Sequence, residues 1–172
     1  MINFNDLKKP FKQEDIEWRI QTSGISNKVP WARVLAYVTN RGIMDRLDSV
    51  CGAENWRNEY LQAPGGGILC GISIKNEGEW ITKYDGAENT QIEAVKGGLS
   101  AAMKRAAVQW GIGRYLYKLD AGFAQNISSK KYNGSIYCPI NTKKNIPAFY
   151  WTPPELPGWA LPENKDKSCL TK

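Results

Sequence analysis

Residues 89–117 read NTQIEAVKGGLSAAMKRAAVQWGIGRYLY, and this stretch decides the fold. Thr90-x-x-Glu93 is a capping box: the hydroxyl takes an orphan amide of the first turn and the carboxylate reaches back to the cap residue. Ile92, Val95, Leu99, Met103, Ala106 and Trp110 then recur at steps of three and four, the spacing of one apolar helix face. At roughly 100° per residue, Lys104 and Arg105 straddle the opposite face. Each glycine of Gly97-Gly98 costs a helix about 1 kcal/mol relative to alanine, the mark of a bend or of a close approach by a neighbouring element. Gly111-Ile112-Gly113 ends the run. The spacing predicts one long helix that lays its apolar side on a sheet and presents adjacent cations on the other.

The sheet is expected just upstream. Trp56 to Ala63, Ile68 to Lys75 and Glu79 to Tyr84 change to a period of two, and Pro64-Gly65-Gly66-Gly67 and Asn76-Glu77-Gly78 punctuate them as tight turns. These are three strands of an antiparallel meander. No Lys-Ser/Thr follows the glycine triplet, so it is a turn and not a phosphate loop. Further back, Arg33 to Thr39 is β-branched and aromatic enough for a strand. Asn40 to about Val50 reads as a helix, with Ile43, Met44, Leu47 and Val50 inward, Arg46 on the solvated face with Asp45 and Asp48, and Cys51-Gly52 as its stop. Gln13 to Gln21 is read as a short helix, with an extended path as the alternative.

The remaining segments set the domain plan. Residues 1–12 are expected to be a flexible lead-in, and 13–140 the main domain. Ser128 to Gly134 is a basic loop carrying Lys130 and Lys131, followed by one more short strand in Ser135 to Ile140. Residues 141–162 hold Phe149-Tyr150-Trp151 and several prolines, which favours an extended path. This segment is either a strap docked on the domain's own surface or a partner-binding segment. Residues 163–172 are expected to be disordered. The fold class is therefore α+β: a three-to-four-stranded antiparallel meander packed on one long basic helix.

Composition narrows the chemistry. The 172 residues contain no histidine, which removes Ser-His-Asp and Cys-His catalysis and every His-ligated metal site. Cys51, Cys70, Cys138 and Cys169 are scattered without a C-x-x-C pair and read as free thiols of a reducing compartment. Asp45 and Asp48, one turn apart, are routine on an exposed helix and make no metal pair. No apolar run is long enough to span a bilayer, and the first residues lack the apolar core of a signal peptide, so the expected location is the cytoplasm. The net charge is +6 and unevenly spread. Lys96, Lys104, Arg105, Arg114, Lys118, Lys130, Lys131, Lys143 and Lys144 face a single acid, Asp120, across residues 96–144, a net +8 that leaves −2 for the rest. A basic segment in a folded, aromatic-containing chain points to a polyanion, most commonly nucleic acid.

Four blocks then carry a resemblance: Tyr37 to Leu47 (YVTNRGIMDRL), Cys51 to Trp56 (CGAENW), Tyr84 to Gly86 (YDG) and above all Ser100 to Tyr117 (SAAMKRAAVQWGIGRYLY). In order and spacing they resemble the Rad fifty-two family of single-strand annealing proteins, especially its short phage branch, over roughly residues 14 to 118. The resemblance implies a β-β-β-α core whose protomers assemble side by side into a ring or filament, with single-stranded DNA in a basic outer groove and no need of ATP, metal or any other cofactor. Lys104 and Arg105 match the family's phosphate-gripping pair, and Arg41 matches the cation that opens the helix after the first strand. The family's animal members carry a further arginine one turn past the pair, where this chain has Val108; Cys51 and Ala53 stand in place of that family's Phe and a following aromatic. Lys96, Arg114, Lys130 and Lys131 are the candidates to supply the missing charge.

The expected function is thus non-enzymatic: binding of single-stranded DNA and annealing of complementary strands in recombination and repair. Candidate partners of the aromatic tail are a single-strand-binding protein or an exonuclease. The alternatives are an end-protecting or mediator protein that coats strands without annealing, a nuclease built on Asp85, Glu93 and Lys96, and a purely structural oligomer. A nuclease needs clustered carboxylates, whereas Asp85 and Glu93 are split between a turn and a helix start.

Overall fold

The computed structural model describes residues 2–88, 94–120 and 122–163. Two antiparallel strands, β1 (Ile16–Ser26) and β2 (Val29–Val38), open the fold as a long hairpin. Its two-residue turn, Asn27-Lys28, has positive φ at both positions, as the twist of a type I′ connection demands. Gln13 to Gln21 is therefore not the helix expected first. A single short turn at Gln13–Asp15 leads directly into β1, where Ile16, Trp18 and Ile20 alternate onto one face. Ile16 and Ile20 fit a helix as well as a strand; the pairing with β2 selects the strand.

Helix α2 (Asn40–Cys51) begins where Thr39 Oγ1 accepts the Gly42 amide and ends at Gly52, whose φ is +84°. The meander follows as β3 (Trp56–Gln62), β4 (Ile68–Asn76) and β5 (Glu79–Ala87), with β4 central. Helix α3 (Ala94–Gln109) runs unbroken through Gly97-Gly98. The capping box at Thr90 and Glu93 lies outside the described residues. Fully buried Ala102, Ala106 and Ala107, with Met103, meet Cys70, Ile72 and Ile74 of β4. Short alanine side chains let the helix approach the sheet closely. At the helix end the Trp110 indole N–H donates to the Ile72 carbonyl at 2.9 Å, so the one polar atom of a buried ring is satisfied.

The segment after α3 adds β6 (Gly122–Phe123), which extends the hairpin as β1-β2-β6, and a third sheet of β7 (Gln125–Ser128), β8 (Ile136–Cys138) and β9 (Phe149–Thr152). The aromatic stretch 149–152 is the middle strand of that sheet, ordered β7-β9-β8. Phe149 and Trp151 are almost fully buried in a second core cluster with Ala32 and Val34 of β2, Cys138 and Ile146. Among the described residues no helix is long and apolar enough to cross a membrane. Residues 164–172, expected to be disordered, lie outside the described ones.

The lead-in is a correction. Residues Phe4–Leu7 form helix α1, and Leu7 and Phe11 are buried in the main core. Arg46 explains this. Far from lying on the solvated face, it is half-buried, with its guanidinium 4.0 Å from the Phe11 ring centre. It donates to the carbonyls of Asp6, Leu7, Lys9 and Pro10. The Tyr115 hydroxyl accepts the Phe11 amide at 3.0 Å. Burial pushes the Arg46 pKa below its ordinary value, while Tyr115, Asp15 and Asp6 pull it back up. Asp48 is likewise engaged, accepting the Trp56 indole N–H at 2.6 Å.

Hydrogen bonds to charged groups are worth about 1.5–3 kcal/mol, so Arg46→Met should destabilise the chain by about 2 kcal/mol in a urea titration. It should also open residues 2–12 to limited proteolysis before the rest of the chain.

Candidate nucleic-acid interface

The hairpin alternates its two faces. Ile16, Trp18, Ile20, Ala32, Val34 and Val38 turn to the cores, while Glu17, Arg19, Leu35 and Tyr37 turn the other way. This second face and α3 bound an open groove of about 360 Å³. Arg19, Lys104 and Arg105 line it over an apolar floor that includes Leu35, Tyr37 and Val108, and among the described residues no carboxylate lines it. Val108 thus occupies groove surface beside the two cations of α3.

The adjacent cations of α3 go to different sides. Lys104 is half-buried, its Nζ 4.2 Å from the centre of the Tyr37 ring. The Tyr37 hydroxyl donates to Glu17 Oε2 at 2.7 Å, and burial together with that carboxylate pushes its pKa up to about 12. Lys104 is pulled below its ordinary value, first by burial; Glu17 opposes this shift and Arg19 adds to it. A partly desolvated ammonium resting on a ring face is held in place while its remaining donors stay available. Arg105 leans toward the meander, where its Nε bonds Asp85 Oδ1 at 2.9 Å. The same carboxylate accepts from Gln109 Nε2 and from the Gly86 amide. Burial raises the Asp85 pKa, but the three hydrogen bonds and the Arg105 charge outweigh it and hold the carboxyl below its ordinary range. Asp85, considered above as a nuclease carboxylate, is used here to orient an arginine.

Arg41, Arg114, Lys130 and Lys131 do not converge on this groove. Arg41 is exposed on the first turn of α2 and is not one of the lining residues. Arg114 turns back to donate to the carbonyls of Val108 and Gln109, closing the C-terminus of α3, where a cation suits the unpaired carbonyls. Lys83 joins it at Gln109 and stands over the Trp110 ring, whose other neighbour is the stacked Phe4. Lys130 and Lys131 are exposed after β7, on the third sheet. Lys96 falls in the first turn of α3. Arg19 and Tyr37 were not singled out from the sequence. Arg19 sits in the segment read as a helix, and only the strand, with Trp18 and Ile20 turned inward, sends it to the groove.

A three-stranded meander thus lies under a basic helix, and a hairpin walls that helix to form a cation-lined groove. The model of the Rad52/22 family double-strand break repair protein matches residues 4–134, and the chain belongs to that family. It is similar to the single-stranded DNA-binding protein DdrA of Deinococcus deserti, 30% identical over 173 residues, which covers 90% of this chain and 74% of that protein. The protein of the same name from Deinococcus radiodurans is 29% identical over 167 residues, 92% of this chain and 67% of the relative. No solved structure matches significantly.

Because the folded-state pKa of Asp85 is depressed, its contribution to stability is present above the ordinary carboxylate range and is lost as pH falls through the folded value. Urea midpoints measured between neutral pH and about pH 3 should therefore fall for the native chain. Asp85→Asn should start lower at neutral pH and show a shallower acid decline.

Proposed function

We propose that this chain binds single-stranded DNA along the groove between α3 and the hairpin, and anneals complementary strands without ATP during recombination or repair. The observation that carries the reading is the convergence of Arg19, Lys104 and Arg105 on one groove where, among the described residues, no carboxylate forms part of the lining. Membership of the Rad52/22 family and similarity to proteins named for binding single-stranded DNA support it. Side-by-side assembly into a ring or filament would join such grooves into a continuous track.

Annealing sets a physical condition that coating does not. The strand must be gripped by its phosphates while its Watson–Crick edges stay open to a second strand, and the repulsion between two phosphate chains must be screened. Cations on a rigid helix and strand meet both conditions. The groove's Tyr37 is already committed, its face to Lys104 and its hydroxyl to Glu17. The Arg105–Asp85 pair is exposed on the arginine side, and such pairs are worth only about 0–1 kcal/mol, so a phosphate competes for that guanidinium at small cost. The second reading, a protein that protects strands without annealing them, agrees equally well with similarity to proteins named for binding single-stranded DNA. Mixing complementary oligonucleotides with protein and no nucleotide separates the two, since only an annealer speeds duplex formation.

Lys104→Ala/Arg105→Ala should weaken binding of an oligothymidylate at least tenfold. For single strands the log–log salt slope is about −0.7 per phosphate contact, so losing two contacts should make it shallower by about 1.4. Unchanged affinity and slope in the folded double variant would remove the groove assignment.

A further inference from the structure

The third sheet has an outer face that the groove does not use. The register pairs Tyr137 of β8 with Tyr150 of β9, and both side chains leave the sheet on the side opposite Phe149 and Trp151. Their ring centres are 5.2 Å apart, and Tyr137 is 55% exposed. Ser128 of β7 stands opposite Tyr150 on the other flank of β9, so a small hydroxyl side chain borders the rings in that row.

The charge around this face is one-sided. From residue 121 to residue 154 there are four lysines and no aspartate or glutamate. All four lysines are exposed. Because β7 and β8 both pair antiparallel with β9, their C-terminal ends lie at the same end of the sheet. Lys130 and Lys131 follow the end of β7 by two and three residues, and Lys143 and Lys144 sit in the turn that joins β8 to β9, closed by the Asn141–Ile146 bridge. A tyrosine pair at the open surface, with lysines gathered at one end and no acid in the segment, has the composition of a stacking platform for an unpaired nucleic-acid strand: rings for base faces and ammonium groups for phosphates.

The bland alternative is a cross-strand aromatic pair that only stabilises its sheet. It accounts for the contact between the rings. It does not account for the exposure of Tyr137 beside an acid-free set of lysines.

From this juxtaposition we infer that the outer face of the third sheet is a second binding surface for single-stranded nucleic acid, which holds one or two bases by stacking on Tyr137 and Tyr150. The inference rests on the reading that the chain binds single strands, and it adds a separate place and a different mode of contact. Leu35 and Tyr37 face the groove while Ala32 and Val34 face the third sheet, so the hairpin stands between the two surfaces. The groove grips phosphates and the platform takes bases. A strand, or a second stretch of the same strand, held by ring faces keeps its pairing edges at the surface. Most of the platform, including both tyrosines and Lys143–Lys144, lies past the residues matched by the family model.

Affinities of the full chain for an oligothymidylate and for an abasic oligomer of equal length separate the two modes, because the abasic strand keeps every phosphate and loses every base. Base stacking is worth about 1–3 kcal/mol per base, so the native chain should prefer the base-bearing strand about fivefold or more. Tyr137→Ser should erase most of that preference, and Tyr137→Phe should keep it. Tyr137 is exposed, so both variants should stay folded; Tyr137→Ser gives up the ring contact and should lower the urea midpoint slightly, while Tyr137→Phe should keep it. Lys104→Ala/Arg105→Ala should weaken both strands and preserve their ratio. A native ratio near one, or a ratio that Tyr137→Ser leaves unchanged, overturns the platform while the groove stands. Failure of the native chain to bind either strand overturns both.

Discussion

The seating of α3 on β4 is the constraint from which the rest follows. Ala102, Ala106 and Ala107 bring the helix axis close to the sheet, and the Trp110 indole N–H, bonded to the Ile72 carbonyl, pins the rotation of the helix about that axis. Once that rotation is set, Lys104 turns to the hairpin and Arg105 to β5. A helix rotated by one residue either way would turn Lys104 or Arg105 onto the sheet, at the large cost of an unpaired buried charge. The groove is a consequence of how a small-residue face meets a sheet, and its cations are placed by the core beneath them.

The hairpin is the second organising element because it is used on both faces. One face packs into the main core and carries the third sheet; the other makes the groove wall with Arg19, Leu35 and Tyr37. This division keeps the groove cation-rich without exposing the core. It also explains why Glu17, on the groove face of β1, does little harm to an anionic ligand: its oxygen accepts from the Tyr37 hydroxyl, which in turn holds the ring beneath Lys104. The ends of the framework are tied by polar groups rather than by apolar area alone. Arg46 collects four carbonyls of the lead-in, and Arg114 with Lys83 collects the last carbonyls of α3.

Much of this was legible beforehand. The helices α2 and α3, the three strands β3 to β5 and their glycine turns follow from hydrophobic period and turn chemistry, both of which are local. The pair Lys104–Arg105 was also legible, since it stands opposite the apolar stripe in a segment of net +8. What was not legible depended on a partner distant in the chain. Ile16 and Ile20 satisfy two periods, and only β2 decides between them. Arg46 has the look of a surface residue until residues 6–10 fold over it. Arg114 belongs by composition to the basic segment, yet the carbonyls of α3, five and six residues back, claim it.

By itself the sequence determined the types of α2, α3 and β3 to β5, the basic helix, the exclusion of histidine chemistry and the family likeness, because each is written in spacing or in residue identity. The tertiary structure decided which cations share a surface. That depends on which groups lie within a few ångströms once the chain is closed, and hydrogen bonding, desolvation and ring contacts act over that distance alone. Nine bases in one segment were thereby sorted into two groove residues, a helix clamp, the lysines of the third sheet and others that the fold leaves elsewhere.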